Sequence, residues 1–330
     1  MNAETSVLKP VFAALRPRDP IQNGQLTILP FTTGYRCRAR YVLLPQAIAR
    51  GRLTVTEVSE GGSVPHLRAV NHGPWPVLLF DGEELIGAKQ NRIVNATTLL
   101  SVGKSILPVS CVEEGRWSAR SPAFAAGAHA SHPALRREKE LQVGQALAME
   151  PPRSPDELSQ QQRAARYRAD QGAVWAEVAE RSLAAGARSD TGAMADAYRT
   201  RTADLETVLA PFLAEDGCPP VEGMVAAAVF LGSRFVCFDA LWPEKRFAQV
   251  YPKLLRGYAL EALSVGGNSP ARPADPEGQM LRLFGELADA PVTLSPGVDL
   301  GRDARVECAG ARAAGLVWEK RMLQLSVFPA

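Results

Sequence analysis

Between Val77 and Trp117 the sequence reads VLLFDGEELIGAKQNRIVNATTLLSVGKSILPVSCVEEGRW, and this stretch limits the possible folds more than any other. Three apolar runs, Val77 to Phe80, Ile93 to Leu100 and Ile106 to Val112, alternate with the polar blocks Asp81-Gly82-Glu83-Glu84, Lys89-Gln90-Asn91-Arg92 and Glu113-Glu114-Gly115-Arg116. Apolar runs of that length suit strands of a buried scaffold, and the polar segments between them suit the tips of those strands, where sites are built. The pattern predicts at least three neighbouring strands whose ends bring Lys89 to Arg92 close to Glu113 to Trp117.

The chain has 330 residues. At roughly 100–200 residues per domain, that length allows about two domains. Residues 1–150 read as a mostly β region carrying the site, and 151–330 as a helical hairpin plus an α/β region, unless both belong to one composite fold. A net charge of +2 gives no electrostatic footprint for a polyanion. From Asp81 to Arg120 the sequence holds five Lys/Arg and five Asp/Glu, a balance that argues against a nucleic-acid groove and for ion pairs or a small-ligand pocket. The five cysteines are odd in number, scattered and never spaced CxxC, so we expect reduced thiols in a cytoplasmic protein rather than a disulfide framework or a zinc site. Glu4 and Lys9 break any apolar leader, and the chain lacks the roughly 18 uninterrupted apolar residues of a membrane span.

Before the central stretch, Gln25 to Phe31 and Tyr35 to Leu44 read as a hairpin. In its second arm Arg36, Arg38 and Arg40 alternate with Cys37, Ala39 and Tyr41; an anion patch is one reading and a solvated outer face the better one. Pro45 to Arg50 suits a short helix and Leu53 to Val58 a strand. Gly61-Gly62 suits a plain loop better than a phosphate loop. Leu67 to Asn71 and Trp75 to Phe80 read as a second hairpin. Beyond the central stretch, a short charged helix is expected over Pro133 to Leu141, and Ser154-Pro155-Asp156-Glu157 predicts a capped helix running to about Gly186. A second helix is expected from about Thr191 to Phe212. Then follow a buried hairpin (Met224 to Leu231, Phe235 to Leu241), a helix opened by Trp242-Pro243 and stopped by Gly266-Gly267, a helix capped by Asp275-Pro276, and a terminal hairpin. This order predicts an α+β fold, an antiparallel or mixed sheet core with a helical hairpin insertion, rather than repeated βαβ units.

The blocks DGEELIGAKQNRIVN and LPVSCVEEGRW, with the later segment from Leu241 to Ala259, resemble the bacterial and archaeal family named after its association with ADP-ribosylglycohydrolases and rhodanese-phosphatases, over most of the chain. The resemblance implies a neighbourhood of ADP-ribose and phosphate chemistry and no particular reaction.

The acid–base candidates are Glu83, Glu84 and Glu113. Because Glu83 and Glu84 are adjacent, a strand points them to opposite faces, so an acid–base pair would need Glu113, Glu114, Lys89 or Arg92 as the second member. Lys89, Gln90, Asn91 and Arg92 offer two cations and two amides that could hold a phosphate and orient a sugar. Arg116 and Trp117 add a guanidinium and a platform for a base, although a Trp after a strand more often packs in the core. Cys111 sits inside an apolar run and reads as a buried structural thiol; a nucleophilic role would require His129 or His132 to fold back onto it. Four histidines without HxH or HxxxH spacing give no metal site, and no cofactor can be named. Two functions stay open: a protein binding or processing a small phosphorylated, nucleotide- or ADP-ribose-like ligand, and a non-catalytic binding or assembly module whose charged blocks are structural and whose helices between Ser154 and Phe212 engage a partner. An open pocket lined by both blocks favours the first, and side chains engaged with one another favour the second.

Overall fold

The computed structural model describes residues 7–149, 158–265 and 272–330. Its elements begin with α1 Lys9–Ala14, β1 Leu15–Pro17, β2 Ile21–Asn23, β3 Leu26–Thr33, β4 Val42–Leu43, α2 Leu44–Ala49, β5 Leu53–Glu57 and β6 His66–Asn71. The central stretch supplies β7 Val77–Leu79, β8 Glu83–Gly87, β9 Arg92–Val94, β10 Thr98–Leu100 and β11 Gly103–Cys111, and β12 Phe124–Ala130 follows. Next come α3 Pro133–Met149, α4 Gln160–Arg166, α5 Gln171–Ala184, α6 Met194–Thr200 and α7 Thr202–Leu209. The chain ends with β13 Ala226–Leu231, β14 Arg234–Leu241, α8 Glu244–Ser264, α9 Pro276–Asp289, β15 Val292–Pro296, β16 Arg302–Glu307, β17 Ala311–Trp318 and β18 Arg321–Pro329. With antiparallel pairing dominant and, among the described residues, one parallel pair, β4 with β7, the fold is α+β.

The elements fall into two compact units. One joins Met1–Ala39, Ala203–Leu294 and Arg302–Ala330; the other joins Arg40–Thr202 and Ser295–Gly301. In the first unit, a sheet ordered β1-β3-β13-β14-β18-β17-β16-β15, with β2 also on β3, has one face against α1 and α9, where Phe12 stacks on Phe284 at 4.6 Å. α8 lies against β3, β13 and β14. Every residue of β13 is buried, which explains its small and β-branched sequence: a strand covered on both faces has no wet side to alternate toward. Where polar side chains lie in this interior they are bonded, as Asp239 is to the hydroxyls of Tyr258 and Ser326, both at 2.6 Å.

In the second unit, the sheet ordered β12-β8-β9-β11-β6-β5 lies with the small sheet β10-β7-β4 around a core that includes Leu53, Val55, Leu67, Val77, Leu85, Val94, Leu107 and Val109. Neighbouring strands β8, β9 and β11 are the three that the central stretch requires. Helices α3 and α4 close on a smaller cluster with Ala96, Val143, Tyr167 and Val298. Asn95 from the segment after β9 ties this layer down by donating to the Tyr167 carbonyl at 2.9 Å.

Several local expectations are corrected. β3 pairs with β1, β2 and β13, whereas residues 35–41 run without a strand partner, so the hairpin around Gly34 does not exist. The alternation there is nevertheless visible in burial, with Arg36, Arg38 and Arg40 exposed between the half-buried Tyr35, Cys37 and Ala39 and the buried Tyr41. β6 pairs with β5 and β11, and β7 pairs with β4 and β10, so these two are not a hairpin either. Periodicity identifies a strand but not its neighbour, and turn residues at 72–76 serve equally well where a chain leaves one sheet for another. The long helix expected up to Gly186 is broken into α4 and α5, where Asp170 caps the start of α5 by accepting from Ala173 N–H, and the next is broken at Arg201 into α6 and α7. α3 runs eight residues past its expected end at Leu141. The cap at Ser154 to Glu157, the boundary between 150 and 151 and the stop at Gly266-Gly267 lie outside the described residues.

Candidate functional site

Strand register brings the polar blocks of the central stretch together. Leu85, Arg92 and Cys111 face one another across β8, β9 and β11, which sets the turn 88–91 beside the end of β11. Ala88 takes a left-handed backbone, φ 39°, in that turn. The turn is then locked to the next block: Asn91 N–H donates to Glu113 Oε2 at 3.1 Å, Gln90 Nε2 to the Glu113 carbonyl at 3.0 Å, and Val112 N–H to the Asn91 carbonyl at 3.1 Å.

At the centre lies the Glu113–Arg116 pair, 2.6 Å between Oε2 and Nη2, with both side chains buried. Arg116 also donates to the carbonyls of Ala88 (2.7 Å), Ser118 (2.8 Å) and Gly87 (3.3 Å) and to Asn91 Oδ1 (3.2 Å). The other carboxylate oxygen of Glu113 accepts from Thr191 Oγ1 at 2.9 Å, with the exposed Arg120 at 3.7 Å. Burial alone would raise the Glu113 pKa, but the bonds from Arg116, Asn91 N–H and Thr191 outweigh it and hold the carboxyl below its ordinary value. All of the polar groups offered by these two side chains, except Arg116 Nε, are therefore engaged with protein.

Glu83 and Glu84 stand at the other end of β8, separated from the level of Glu113 by about three residues of strand rise, on the order of 10 Å. Glu83 Oε2 accepts from Phe80 N–H at 3.2 Å, closing the turn that enters β8. Glu84 is fully buried and packs over Gly127, where a Cβ would come within 2.8 Å of its carboxylate.

Lys89, Arg92 and Trp117 make a second corner. Lys89 Nζ donates to the Gly61 carbonyl at 2.9 Å, so the Gly61-Gly62 loop closes on a side chain. Trp117 is 48% exposed, contrary to the core placement favoured from sequence, because it lies as a cover over Lys89 (5.2 Å) and Arg92 (5.8 Å). Arg92 is completely buried; its Nη1 donates to Gln90 Oε1 at 2.7 Å, whereas Nε and Nη2 have no hydrogen-bond partner among the described residues. Burial lowers the pKa of this guanidinium, an effect partly offset by Cys111 and Glu57 and reinforced by Arg116. Cys111 is buried, with Gln171 clasping its backbone N–H and carbonyl, both at 2.8 Å. The histidines that could have activated it are engaged elsewhere: His132 Nε2 with Glu177 at 2.9 Å and His129 stacked on Tyr198 at 4.2 Å.

Sequence reasoning missed a cluster around Asp81. Arg136 Nε and Lys139 Nζ donate to its two carboxylate oxygens at 3.1 and 2.5 Å, and Lys139 also reaches the Val94 carbonyl at 2.7 Å. Burial pushes the Lys139 pKa down and Asp81 partly restores it. The spacing of Arg136, Lys139 and Glu140 along α3 was the available signal, since all three lie on one helix face; a charged face reads as solvated unless a buried carboxylate is known to meet it. Among the described residues no group of three or more His, Cys, Asp or Glu is placed to hold a metal ion, and no helix is long and apolar enough to cross a membrane.

Residues 14–328 match the family described as the ARG and Rhodanese-Phosphatase-superfamily-associated Protein domain, ARPP-1. The chain belongs to the ARPP-1 family. The match covers both polar blocks and both structural units, so the closed Glu113–Arg116 pair lies inside an ARPP-1 domain rather than beside one. No curated protein and no solved structure matches the chain.

Proposed function

We propose that this ARPP-1 protein is a non-catalytic binding or assembly module whose charged blocks hold a rigid strand corner. The observation that carries this reading is the mutual engagement of Glu113 and Arg116, which leaves the carboxylate no unshared oxygen for an acid–base step. The family description names two superfamilies as associates, so proteins of those superfamilies are the partners to test first. On the helical side, Leu183 of α5 is 82% exposed and offers an apolar contact. The test is to incubate the native protein with ADP-ribose, NAD and simple nucleotides and follow turnover. No hydrolysis is expected; turnover that disappears in a folded Glu113→Gln variant would make Glu113 a catalytic residue and overturn the reading.

A second reading, a small phosphorylated ligand gripped by Lys89 and Arg92 beneath Trp117, draws support from the two Arg92 nitrogens without a partner. A charge-assisted contact of roughly 1.5–3 kcal/mol corresponds to a loss of ~10-fold to ~150-fold in affinity for Arg92→Ala. Trp117→Ala, at a half-exposed position, gives a companion variant whose fold is not at issue. If wild type binds none of these compounds in calorimetry, the second reading fails.

A further inference from the structure

The strongest unassigned feature lies in the first unit, which contains none of the charged blocks. Residues 34–38 cross a cavity of about 370 Å³ whose wall is formed by Tyr35, Trp242 and Val225 and whose rim carries Arg36, Arg38 and Glu244. That volume lies within the range of small-ligand pockets, roughly 300–1,000 Å³. Tyr35 meets Trp242 edge-on at 5.6 Å.

The segment is held over the cavity rather than in a sheet. Gly34 N–H donates to the Ala14 carbonyl at 3.1 Å, Tyr35 N–H to Thr33 Oγ1 at 2.9 Å, and Met322 N–H to the Tyr35 hydroxyl at 2.9 Å. These anchors place two consecutive outward residues of the alternation, Arg36 and Arg38, on the rim. Both are exposed, and among the described residues neither makes a hydrogen bond or an ion pair. That distinguishes them from Arg40, which lies over Trp75 at 5.5 Å. Two uncommitted guanidinium groups beside the half-buried Tyr35 ring, with Trp242 and Val225 behind it, offer an aromatic oxyanion forked donors for its charged end and an aromatic edge for its ring. Glu244 is the opposing carboxylate on the rim, and it suits a ligand that also carries a hydrogen-bond donor. α8 starts at the same rim with no side chain capping its first turn, which adds backbone donors there.

We infer that this cavity is a binding site for a small aromatic oxyanion, an aromatic phosphate monoester or carboxylate, held by Arg36 and Arg38. The inference goes beyond the module reading and does not rest on it, since the site shares no residue with the Glu113 corner. It also revises the solvated-face reading of the arginines: they are solvated, but over a cavity.

Calorimetric titration of the native protein with inorganic phosphate, benzoate and phenyl phosphate tests it. Phenyl phosphate is expected to bind at least about 10-fold tighter than inorganic phosphate, because only it uses the aromatic wall, and the Arg36→Gln/Arg38→Gln variant is expected to lose about 10-fold or more. Benzoate binding tighter than phenyl phosphate would assign the site to carboxylates. Both arginines are exposed, so an unchanged melting curve is expected for the double variant and separates site loss from unfolding. Binding of none of the three probes at millimolar concentration, or equal affinity in the double variant, overturns the inference. Glu113→Gln should leave phenyl phosphate binding unchanged, so failure here and failure of the module reading are read out separately.

Discussion

Replacing Arg116 by Met should destabilise the second unit by about 3–5 kcal/mol, the cost of breaking a buried ion pair by removing one partner. Met keeps much of the side-chain volume, so the loss is electrostatic rather than a cavity. It strands a Glu113 carboxylate that keeps only Asn91 N–H and Thr191 Oγ1 as close donors, and it leaves the carbonyls of Gly87, Ala88 and Ser118 without the guanidinium. Equilibrium urea unfolding, followed by circular dichroism, reads the effect: at an m-value of about 2 kcal/mol/M the midpoint should fall by about 1.5–2.5 M. The Glu113→Gln/Arg116→Met double variant should recover part of this, because the stranded charge is gone. A loss below about 1 kcal/mol for Arg116→Met, the size expected of a solvent-exposed pair, would refute the claim that the corner is closed and structural.

Acid should expose the same network. Glu113 and Glu177 are both held below the ordinary carboxylate value: burial opposes ionisation in each, but Arg116, Asn91 N–H and Thr191 in one case, and His132 and Arg181 in the other, outweigh it. Their stabilising contribution is present above the unfolded value, about 4.3, and is lost as pH falls through the folded values. Wild type should therefore lose midpoint stability steeply below about pH 4 and Glu113→Gln less steeply; parallel curves would contradict this. Buried Cys111 should react with iodoacetamide much more slowly than exposed Cys218 in the native protein, as mapped by mass spectrometry, and the reverse order would revive a nucleophilic role. Gly82→Ala should cost at least about 2 kcal/mol in the same urea assay, since the position has φ +75° and a Cβ there would lie 2.4 Å from Ser131 Oγ and 2.9 Å from Arg136 Cγ; a neutral effect would mean that the turn holding Asp81 is not fixed.

The α+β class and the meeting of the two polar blocks were legible because both follow from local pattern: apolar runs of strand length and polar tips of matching position. Strand partners were not legible. β6 and β7 have the spacing of a hairpin yet enter different sheets, and nothing in residues 72–76 encodes that choice. The role of the charges was hidden for the same reason. Glu113 and Arg116 show their types in the sequence, but whether a carboxylate faces solvent or three protein donors depends on Thr191, 78 residues away, and on a turn that delivers Asn91 N–H. Lys139 and Arg136 showed only as part of a charged helix because their partner Asp81 lies 58 and 55 residues earlier in the chain. Trp117 was expected inside because aromatic side chains favour the core; two cations beneath it hold it at the surface instead.

The claim that Glu113 is a spent structural carboxylate is tested most directly by its own titration, followed through the side-chain carboxyl ¹³C resonance with and without ADP-ribose. The midpoint is expected below the ordinary glutamate value and unchanged on adding ADP-ribose. A midpoint at or above that value, or one that moves when ADP-ribose is added, would contradict it and make the corner a ligand-responsive acid–base site.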